Sequence, residues 1–379
     1  MSEARARQRT RVVVLFGGRS GEHEVSCVSA RHVAAALDPQ RYEVIPIGIT
    51  RDGRWMLPTA SRRALAGGRL EIPESAFEAS GEPVTVLPDP DHAEIVSLDR
   101  SGPAEVGRPD VVLPILHGPH GEDGTVQGLL ELADIPYVGA GVLGSALGMD
   151  KEKMKLLFRA EGLPTARFVL VRRHEWESDP EQCLAKVSAI GFPCFAKPAN
   201  LGSSVGISKC RDLDEVTAGI IEALNHDRKV LVEESIAGRE IECGVLGSDE
   251  PEASVCGEVI PSREFYDYTA KYHDESSRTV IPADLPDEVC ETIREYAVRA
   301  FGAIDAEGMA RVDFFYDAGG RGVVLNEINT IPGFTTISMF PKLWEASGVP
   351  YDKLLERLIE LAMQRHASKP RPEALPPPG

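Results

Sequence analysis

The sequence has no pair of cysteines at CxxC spacing, and its seven cysteines are spread along 379 residues. A zinc site or a disulfide framework is therefore not expected, and we predict free thiols in a reducing compartment. No apolar run approaches the ~20 residues that a membrane span requires. The first ten residues, MSEARARQRT, lack the apolar centre of a signal peptide. These absences predict a cytoplasmic protein with no membrane partner.

Positive charge is also scarce. The chain has 41 lysines and arginines against 59 aspartates and glutamates, and its formal net charge is −18. Because a nucleic-acid-binding protein needs a basic surface to displace counterions, we expect no nucleic-acid partner. The loop after the first apolar run, GGRSGEHEVS, does not follow the GxGxxG pattern, which argues against a nicotinamide-dependent oxidoreductase.

Up to residue 148 the chain alternates short β-branched runs with helical stretches, which predicts an α/β domain with a doubly wound parallel sheet. Residues 58–108 are rich in glycine, proline and acidic residues, and we expect irregular, exposed structure there. A helix followed by another strand is predicted for GTVQGLLELADIPYVG. The other predicted elements are strands at 11–16, 42–50 and 109–118 and a helix near 24–37.

From Asp150 onward, helices and short strands are mixed. The tail SKPRPEALPPPG is rich in proline and is expected to be disordered. The predicted strands are 167–171, 192–199, 229–234, 239–247, 254–260, 308–317 and 322–330, and the predicted helices are 150–162, 180–189, 212–224, 287–302, 337–347 and 351–366.

The last two predicted strands flank the turn DAGGRG and should form a hairpin. If the hairpin pivots at Gly320, Asp313 faces Glu327 and Arg311 faces Asn329, all on one face. Opposed carboxylates repel unless a cation lies between them, and Mg²⁺ accepts oxygen ligands together with substrate phosphates. The alternative is a solvated face held by salt bridges, but the flanking residues are too apolar for a surface hairpin. The hairpin therefore predicts a metal site.

A second candidate feature is the loop that follows Lys197, which contains Gly202, Ser203, Ser204 and Gly206. Backbone N–H groups in such a loop can close on phosphate oxygens. The lysine precedes the glycines, so this is not a P-loop. Taken alone, a plain turn is the simpler interpretation.

Three more polar residues lie near predicted element ends. Lys151 opens the helix after Asp150, where the helix dipole disfavours a cation, so a bound anion would explain it. Glu22 and His117 each follow a predicted strand, at the edge where doubly wound sheets bind ligands. The alternatives are a first-turn acid for Glu22 and a hydrogen-bonded loop histidine for His117.

Taken together, these segments resemble the D-alanine–D-alanine ligase family of the ATP-grasp superfamily. The resemblance implies an N-terminal substrate-binding α/β domain (11–148) and an ATP-grasp fold of two α+β subdomains (149–238 and 239–367), followed by the tail (368–379). It runs in order from about residue 11 to 366, through GGRSGEHEVS, LPILHGPHGEDGTVQGLLE, MDKEKMK, AKPANLGSSVGISK, VLVEESIAGREIECGV, EFYDYTAKY, ARVDFF and LNEINTIPGFTTISMFPKL.

The resemblance implies a reaction. ATP would phosphorylate the carboxylate of one D-alanine, and the amine of a second D-alanine would attack the acyl phosphate to give the dipeptide for peptidoglycan synthesis. It also implies a homodimer. Another ATP-grasp ligase, including one that adds D-lactate, and a non-catalytic nucleotide-binding module are the alternatives.

The resemblance also implies roles for individual residues. A polar lid around 263–285 would close over the site. The metal ligands, for two Mg²⁺ or Mn²⁺ ions, would be Asp313, Glu327 and Asn329. The D-alanines would be bound by Glu22, His117, Ser338 and Met339. Catalysis would involve Glu22, Ser203, Tyr272, Arg311 and the backbone N–H of Gly333. The ATP-binding residues would be Lys151, Lys197, Ser203, Ser204, Val205, Glu233, Glu234, Ile236, Glu240 and Lys271.

Overall fold

The structure is a computed structural model that describes residues 9–59, 77–98, 107–202, 204–260 and 278–370. Within these residues the chain forms a mixed α/β fold with three sheets. All seven cysteines are free thiols, as predicted. Among the described residues, none of the helices is both long and apolar enough to cross a bilayer.

The first sheet has the strand order β5-β4-β3-β2-β1-β6. Strand β1 is parallel to β2 and β6, whereas β3, β4 and β5 pair antiparallel. The prediction of a wholly parallel sheet is therefore wrong: the link from β2 to β3 is too short for a crossover helix, so the chain turns back. The strands are β1 (Thr10–Gly17), β2 (Tyr42–Ile49), β3 (Trp55–Leu57), β4 (Glu82–Val86), β5 (Ile95–Ser97) and β6 (Val111–Pro114).

Two further expectations about this region are wrong. Residues 58–108 do not form only irregular, exposed structure, because β4 and β5 lie in the sheet and bury Val84, Val86 and Ile95. The strand predicted after GTVQGLLELAD is reduced to a single bridge between Val112 and Tyr137. The predicted segments 60–76 and 99–106 lie outside the described residues.

Helices cover both faces of the first sheet, as expected for a doubly wound arrangement. They are α1 (His23–Ala36) on one face and α2 (Thr125–Leu132) on the other, whereas the next helix, α3 (Val142–Met149), packs toward the third sheet. Alternate residues of β1 enter different cores: Val12 and Val14 pack with α1, while Val13 and Leu15 pack with α2. This alternation explains why β1 is apolar along its whole length.

The second sheet is antiparallel and has the order β7-β10-β8-β9. Its core contains Val187, Val216 and Ile220 from the helices that cover it. The strands are β7 (Phe168–Arg172), β8 (Cys194–Pro198), β9 (Ser208–Cys210) and β10 (Lys229–Glu234), and the helices of this part of the chain are α4 (Lys151–Ala160), α5 (Arg173–Ser178), α6 (Pro180–Ser188) and α7 (Leu213–Leu224).

The third sheet is also antiparallel, in the order β13-β12-β11-β14-β15. One core packs Ile293 and Phe301 of the long helix against Val312 and Phe314, and Met154 and Phe158 of α4 join it. The strands are β11 (Arg239–Gly247), β12 (Glu252–Ile260), β13 (Arg278–Val280), β14 (Gly308–Asp317) and β15 (Gly322–Asn329), and the helices are α8 (Asp287–Ala303), α9 (Met339–Ala346) and α10 (Tyr351–Ser368).

Candidate active site

The β14–β15 hairpin confirms the predicted pairing, in which Asp313 faces Glu327 and Arg311 faces Asn329. The predicted pivot at Gly320 is not quite right. Near the turn the pairs are Asp317 with Gly322 and Phe314 with Leu325, which centres the turn between residues 319 and 320.

A β-bulge accounts for the difference. Between the pairs Phe314–Leu325 and Asp313–Glu327, β15 carries one extra residue, Asn326. If the register near the turn continued unchanged, Glu327 would lie opposite Val312, a fully buried core residue. The bulge instead brings Glu327 onto the face that carries Asp313, since one residue of slip moves a side chain to the other face of a strand.

A third carboxylate lies on the same rung of the sheet. Glu242 of β11 pairs with Asp313 on the side away from Glu327. Arg311 lies between them: its guanidinium makes two 2.7 Å hydrogen bonds to Asp313 and lies 3.0 Å from Glu242. Although burial acts in the opposite direction, these carboxylates hold the pKa of Arg311 well above its usual value. Arg311 is therefore a counter-ion to its acidic neighbours.

Four side chains of the third sheet, Glu242, Arg311, Glu327 and Asn329, face a cavity of about 560 Å³. It lies where the first sheet, the third sheet and the start of α4 meet. Ten of the residues singled out from the sequence line it: Glu22, His117, Lys151, Gly202, Arg311, Glu327, Asn329, Gly333, Ser338 and Met339.

The first-domain wall of the cavity carries Glu22, His117 and Glu122. The ring Nδ1 of His117 lies 3.2 Å from the carbonyl oxygen of Ile331, and its buried Nε2 has no hydrogen-bond partner in the described part of the chain. Burial and the nearby Glu22 raise the pKa of Glu122 to about 8. A methyl group added to Gly202 would lie 3.7 Å from the Glu22 carboxylate, so the Gly/Ser loop lies close to this wall.

Three lysines lie on the opposite side, where Lys151 lines the cavity and Lys155 and Lys197 lie behind it. Lys151 donates to the carbonyl oxygen of Leu201 at 2.8 Å and lies 3.5 Å from the Glu327 carboxylate. Lys197 forms an ion pair with the buried Glu233, and Nζ of Lys155 lies 2.5 Å from the same carboxylate. Burial alone would raise the pKa of Glu233, but the charges of Lys155 and Lys197 lower it to about 2.

The far end of the cavity is formed by the segment before α9. Ser338 is the N-cap residue of this helix, and Met339 is its first residue. The Ser338 hydroxyl accepts a 3.1 Å hydrogen bond from the backbone N–H of Thr335. Because a helix start presents free N–H groups, this end suits a carboxylate.

Comparison with known proteins identifies the family. Residues 11–140 match the family model described as D-ala D-ala ligase N-terminus, and residues 157–360 match the one described as D-ala D-ala ligase C-terminus. A curated D-alanine–D-alanine ligase from Geobacillus thermodenitrificans is 49% identical over 365 residues, which cover 95% of this chain and 97% of that protein. The chain belongs to the D-alanine–D-alanine ligase family.

Solved structures agree with this family assignment. The D-alanine–D-alanine ligase from Coxiella burnetii is 39% identical, with a TM-score of 0.80 and coverage of 95% of both chains. The VanG D-Ala:D-Ser ligase from Enterococcus faecalis is 37% identical, with a TM-score of 0.81, and the match covers 94% of this chain and all of that one.

Several residues that the resemblance to this ligase family singled out do not line the cavity. Lys197 and Glu233 lie behind it. Asp313 is hydrogen-bonded to Arg311 and Asn329, which do line it. Glu234 is paired with Arg167 and Arg321. Ser204, Val205, Ile236 and Glu240 are described but do not line it, whereas Ser203, Lys271 and Tyr272 lie outside the described residues.

The residues present fit a metal bound together with a phosphate. In the described part of the chain, no group of three or more histidine, cysteine or acidic side chains is arranged to hold a metal alone. Two facing carboxylates and the amide of Asn329 nonetheless offer oxygen ligands. Mg²⁺ in proteins often takes only one or two carboxylates and completes its shell with substrate phosphates and water. The set therefore suits Mg²⁺ that arrives with a nucleotide.

Sequence reasoning missed three residues of this ligase site: Glu122, Lys155 and Glu242. Lys155 had a detectable signal, since it lies one helical turn after Lys151 and shares its face with Met154 and Phe158. The position of Glu242 depends on the pairing of β11 with β14, which are 71 residues apart at the pair Glu242–Asp313. Sequence periodicity does not predict such a pairing.

Proposed function

We propose that the protein joins two D-alanines to form D-alanyl-D-alanine at the expense of ATP, for cell-wall synthesis. The observation that carries the proposal is the composition of the cavity in a chain of this ligase family. Oxygen ligands, two cations and a helix start face one space of about 560 Å³. That volume suits a nucleotide phosphate chain together with two small amino acids.

At the end of the cavity that we assign to ATP, the lysines are assigned to the phosphates because of their positive charge. Lys151 and Lys197 would bind phosphate oxygens, with the backbone of residues 202–205 closing over them and Lys271 reaching the transferred phosphoryl group. Glu233, Glu234 and Ile236 would line the adenine pocket, and Glu240 would bind the ribose. Asp313, Glu327 and Asn329 would hold two Mg²⁺ or Mn²⁺ ions, which when bound neutralise charge on the phosphates.

At the amino-acid end, Glu22 would bind the ammonium of the first D-alanine and His117 its carboxylate. The hydroxyl of Ser338 and the backbone N–H of Met339, at the start of α9, would bind the carboxylate of the second. Arg311 and the backbone N–H of Gly333 would donate to the oxyanion that develops during amide formation.

The proposed reaction has two steps. The γ-phosphoryl group moves from ATP to a carboxylate oxygen of the first D-alanine, which releases ADP. The amine nitrogen of the second D-alanine then forms a bond to that carbonyl carbon, the C–O bond to phosphate breaks, and the nitrogen loses a proton. Because water would hydrolyse the acyl phosphate, closure of a lid carrying Tyr272, which would bond to Ser203 and Glu22, completes the proposal.

The proposal extends to the organisation of the chain. We propose a substrate-binding domain at 11–148 and two ATP-grasp subdomains at 149–238 and 239–367. The disorder predicted for 368–379 is wrong for Ser368, which is the last residue of α10, and residues 371–379 lie outside the described part of the chain. Apart from Thr10, each of the three sheets lies within one of the proposed ranges. A cytoplasmic homodimer is part of the same proposal.

The experiment is an ADP- and phosphate-release assay with D-alanine, L-alanine, or D-alanine plus D-serine or D-lactate. We expect ADP release that requires D-alanine, with L-alanine giving less than about 1% of the rate because the site orients one stereoisomer. Equal turnover with L-alanine, or ADP release without any amino acid, would overturn the proposal.

A second candidate reaction has D-serine as the second substrate. It is favoured by the likeness to a structure titled as a D-Ala:D-Ser ligase. Mass spectrometry of the product from equimolar D-alanine and D-serine distinguishes the two. A mixed dipeptide as the main product would support the second candidate, and D-alanyl-D-alanine as the main product would exclude it.

A further inference from the structure

The bulge that creates the acidic face is held by a buried lysine. Nζ of Lys155 donates a 2.8 Å hydrogen bond to the backbone carbonyl of Asn326, the extra residue of the bulge. One residue earlier on α4, the sulfur of Met154 accepts from the backbone N–H of Ile328 at 3.4 Å. Helix α4 therefore contacts the backbone of β15 on both sides of Glu327.

The same ammonium group reaches the second sheet. Nζ of Lys155 is 2.5 Å from the carboxylate of Glu233 on β10, and that carboxylate also pairs with Lys197 on β8. Lys155 thus joins the strand that carries Glu327 to the strands that carry Glu233 and Lys197. A single ammonium group therefore contacts both the strand that carries Glu327 and the carboxylate that pairs with Lys197.

The burial of Lys155 is unusual for a side chain that only stabilises a fold. It is 1% exposed, and an apolar side chain of similar volume in that position would avoid the cost of desolvating a charge. A lysine there supplies what an apolar residue lacks, namely donors directed at a bulge carbonyl and at a carboxylate. Burial outweighs the attraction of Glu233 and lowers the pKa of Lys155, while Lys197 beside it also disfavours the charge.

We infer that Lys155 is a positioning residue, which sets the orientation of Glu327 through the Asn326 carbonyl and the position of Lys197 through Glu233. The inference rests on the proposed function, since it assigns these two residues to the metal and to the phosphates. Lys155 itself touches neither substrate nor metal in this scheme. Its loss should therefore weaken metal-nucleotide binding more than D-alanine binding.

The test compares Lys155→Met with Lys153→Met. Lys153 lies on the same helix but is half exposed, and its ammonium group pairs with Glu152 at 3.4 Å. Titration calorimetry measures Mg·ADP binding to each full-length protein without D-alanine, and a second series measures the Mg²⁺ concentration for half-maximal turnover.

We expect Lys155→Met to weaken Mg·ADP binding and to raise the Mg²⁺ requirement, each by about tenfold or more, while KM for D-alanine changes less than about threefold. Lys155→Arg, which keeps the charge and the donors, should recover most of the nucleotide affinity. Lys153→Met should match the wild type in every measurement.

If Lys155→Met lowers only the thermal midpoint and leaves Mg·ADP affinity within about twofold, the residue is structural and the inference is wrong. Should that variant fail to fold, Lys155→Gln, which keeps a donor for the Asn326 carbonyl but no charge, is judged by the same two constants. Failure of the wild type to bind Mg·ADP would instead contradict the proposed function, whereas binding without D-alanine turnover would contradict only the proposed reaction.

Discussion

At the scale of residues, the candidate site carries an excess of negative charge. Glu242, Asp313 and Glu327 lie on one rung of three strands, and Arg311 and Lys151 are the cations beside them. Like charges on neighbouring strands repel, so this rung is stabilised when more positive charge arrives. Arg311 is hydrogen-bonded to Asp313 and offsets part of this negative charge.

Replacing Glu327 with glutamine should separate function from folding. The variant loses a ligand charge, and we expect kcat to fall at least about 100-fold, since a bound metal contributes several kcal/mol to stabilising developing charge. Its free energy of unfolding should equal or exceed that of the wild type, because one of the facing carboxylates is neutralised. Steady-state kinetics and urea unfolding measure the two quantities.

The control is Glu252→Gln, on the exposed end of β12. It should leave kcat unchanged. Wild-type turnover in Glu327→Gln would refute the metal assignment, and unfolding of that variant under assay conditions would show that the carboxylate is structural.

At the scale of elements, the hairpin shows how a turn and a bulge compensate each other. The turn is offset by half a residue from the pivot at Gly320, and the extra residue Asn326 restores the pairing of Asp313 with Glu327. A prediction that assumed regular pairing was therefore correct for the pair Asp313–Glu327 and wrong for the register between that pair and the turn. The glycines of the turn are not equivalent, because Gly322 has φ +69° whereas Gly319 does not require the left-handed region.

Gly322→Ala should destabilise the hairpin by about 1–2 kcal/mol, since a Cβ at positive φ strains the backbone. No atom lies within 4 Å of the added carbon, so the strain is the whole effect. Gly319→Ala is the matched control: its Cβ meets only Asp317 at 3.9 Å, and it should be neutral or stabilising by up to about 1 kcal/mol. Urea unfolding compares them, and equal losses in both variants would contradict this account of the turn.

At the scale of the whole molecule, the last helix ties the end of the chain to the first sheet. Residues Leu354, Leu355 and Leu358 of α10 pack in the same core as Val12 and Val14 of β1. At the C-terminal end of α10, Arg365 donates to the backbone carbonyls of Tyr137 and Gly139, and its guanidinium lies 4.4 Å from the Tyr137 ring centroid. The first and last parts of the described chain therefore support each other.

Arg365→Met should lower the free energy of unfolding by about 2–3 kcal/mol, because two buried carbonyls lose a charged donor. Lys353→Met on the same helix is the control; its side chain is more than half exposed, so its loss should change stability little. Thermal and urea unfolding followed by circular dichroism measure both. If the two variants were equally stable, Arg365 would not hold α10 to the first sheet.

The sequence by itself determined the elements and the family. Apolar periodicity predicted β1, α1, the last helices and the strands of the second and third sheets except β9 and β13 to within a few residues, because such patterns reflect local burial. The order of the motifs from residue 11 to 366 indicated the ligase family, which the comparisons confirm.

Tertiary structure decided what depends on contacts between distant parts of the chain. In the folded chain β3, β4 and β5 pair antiparallel, and Glu242 lies beside Asp313. A bulge at Asn326 precedes Glu327, and Lys155 donates a hydrogen bond to the carbonyl oxygen of Asn326. The physical reason is that strand pairing and register depend on which surfaces pack together in the folded chain. The residue type at one position does not specify which residue lies opposite it on the neighbouring strand.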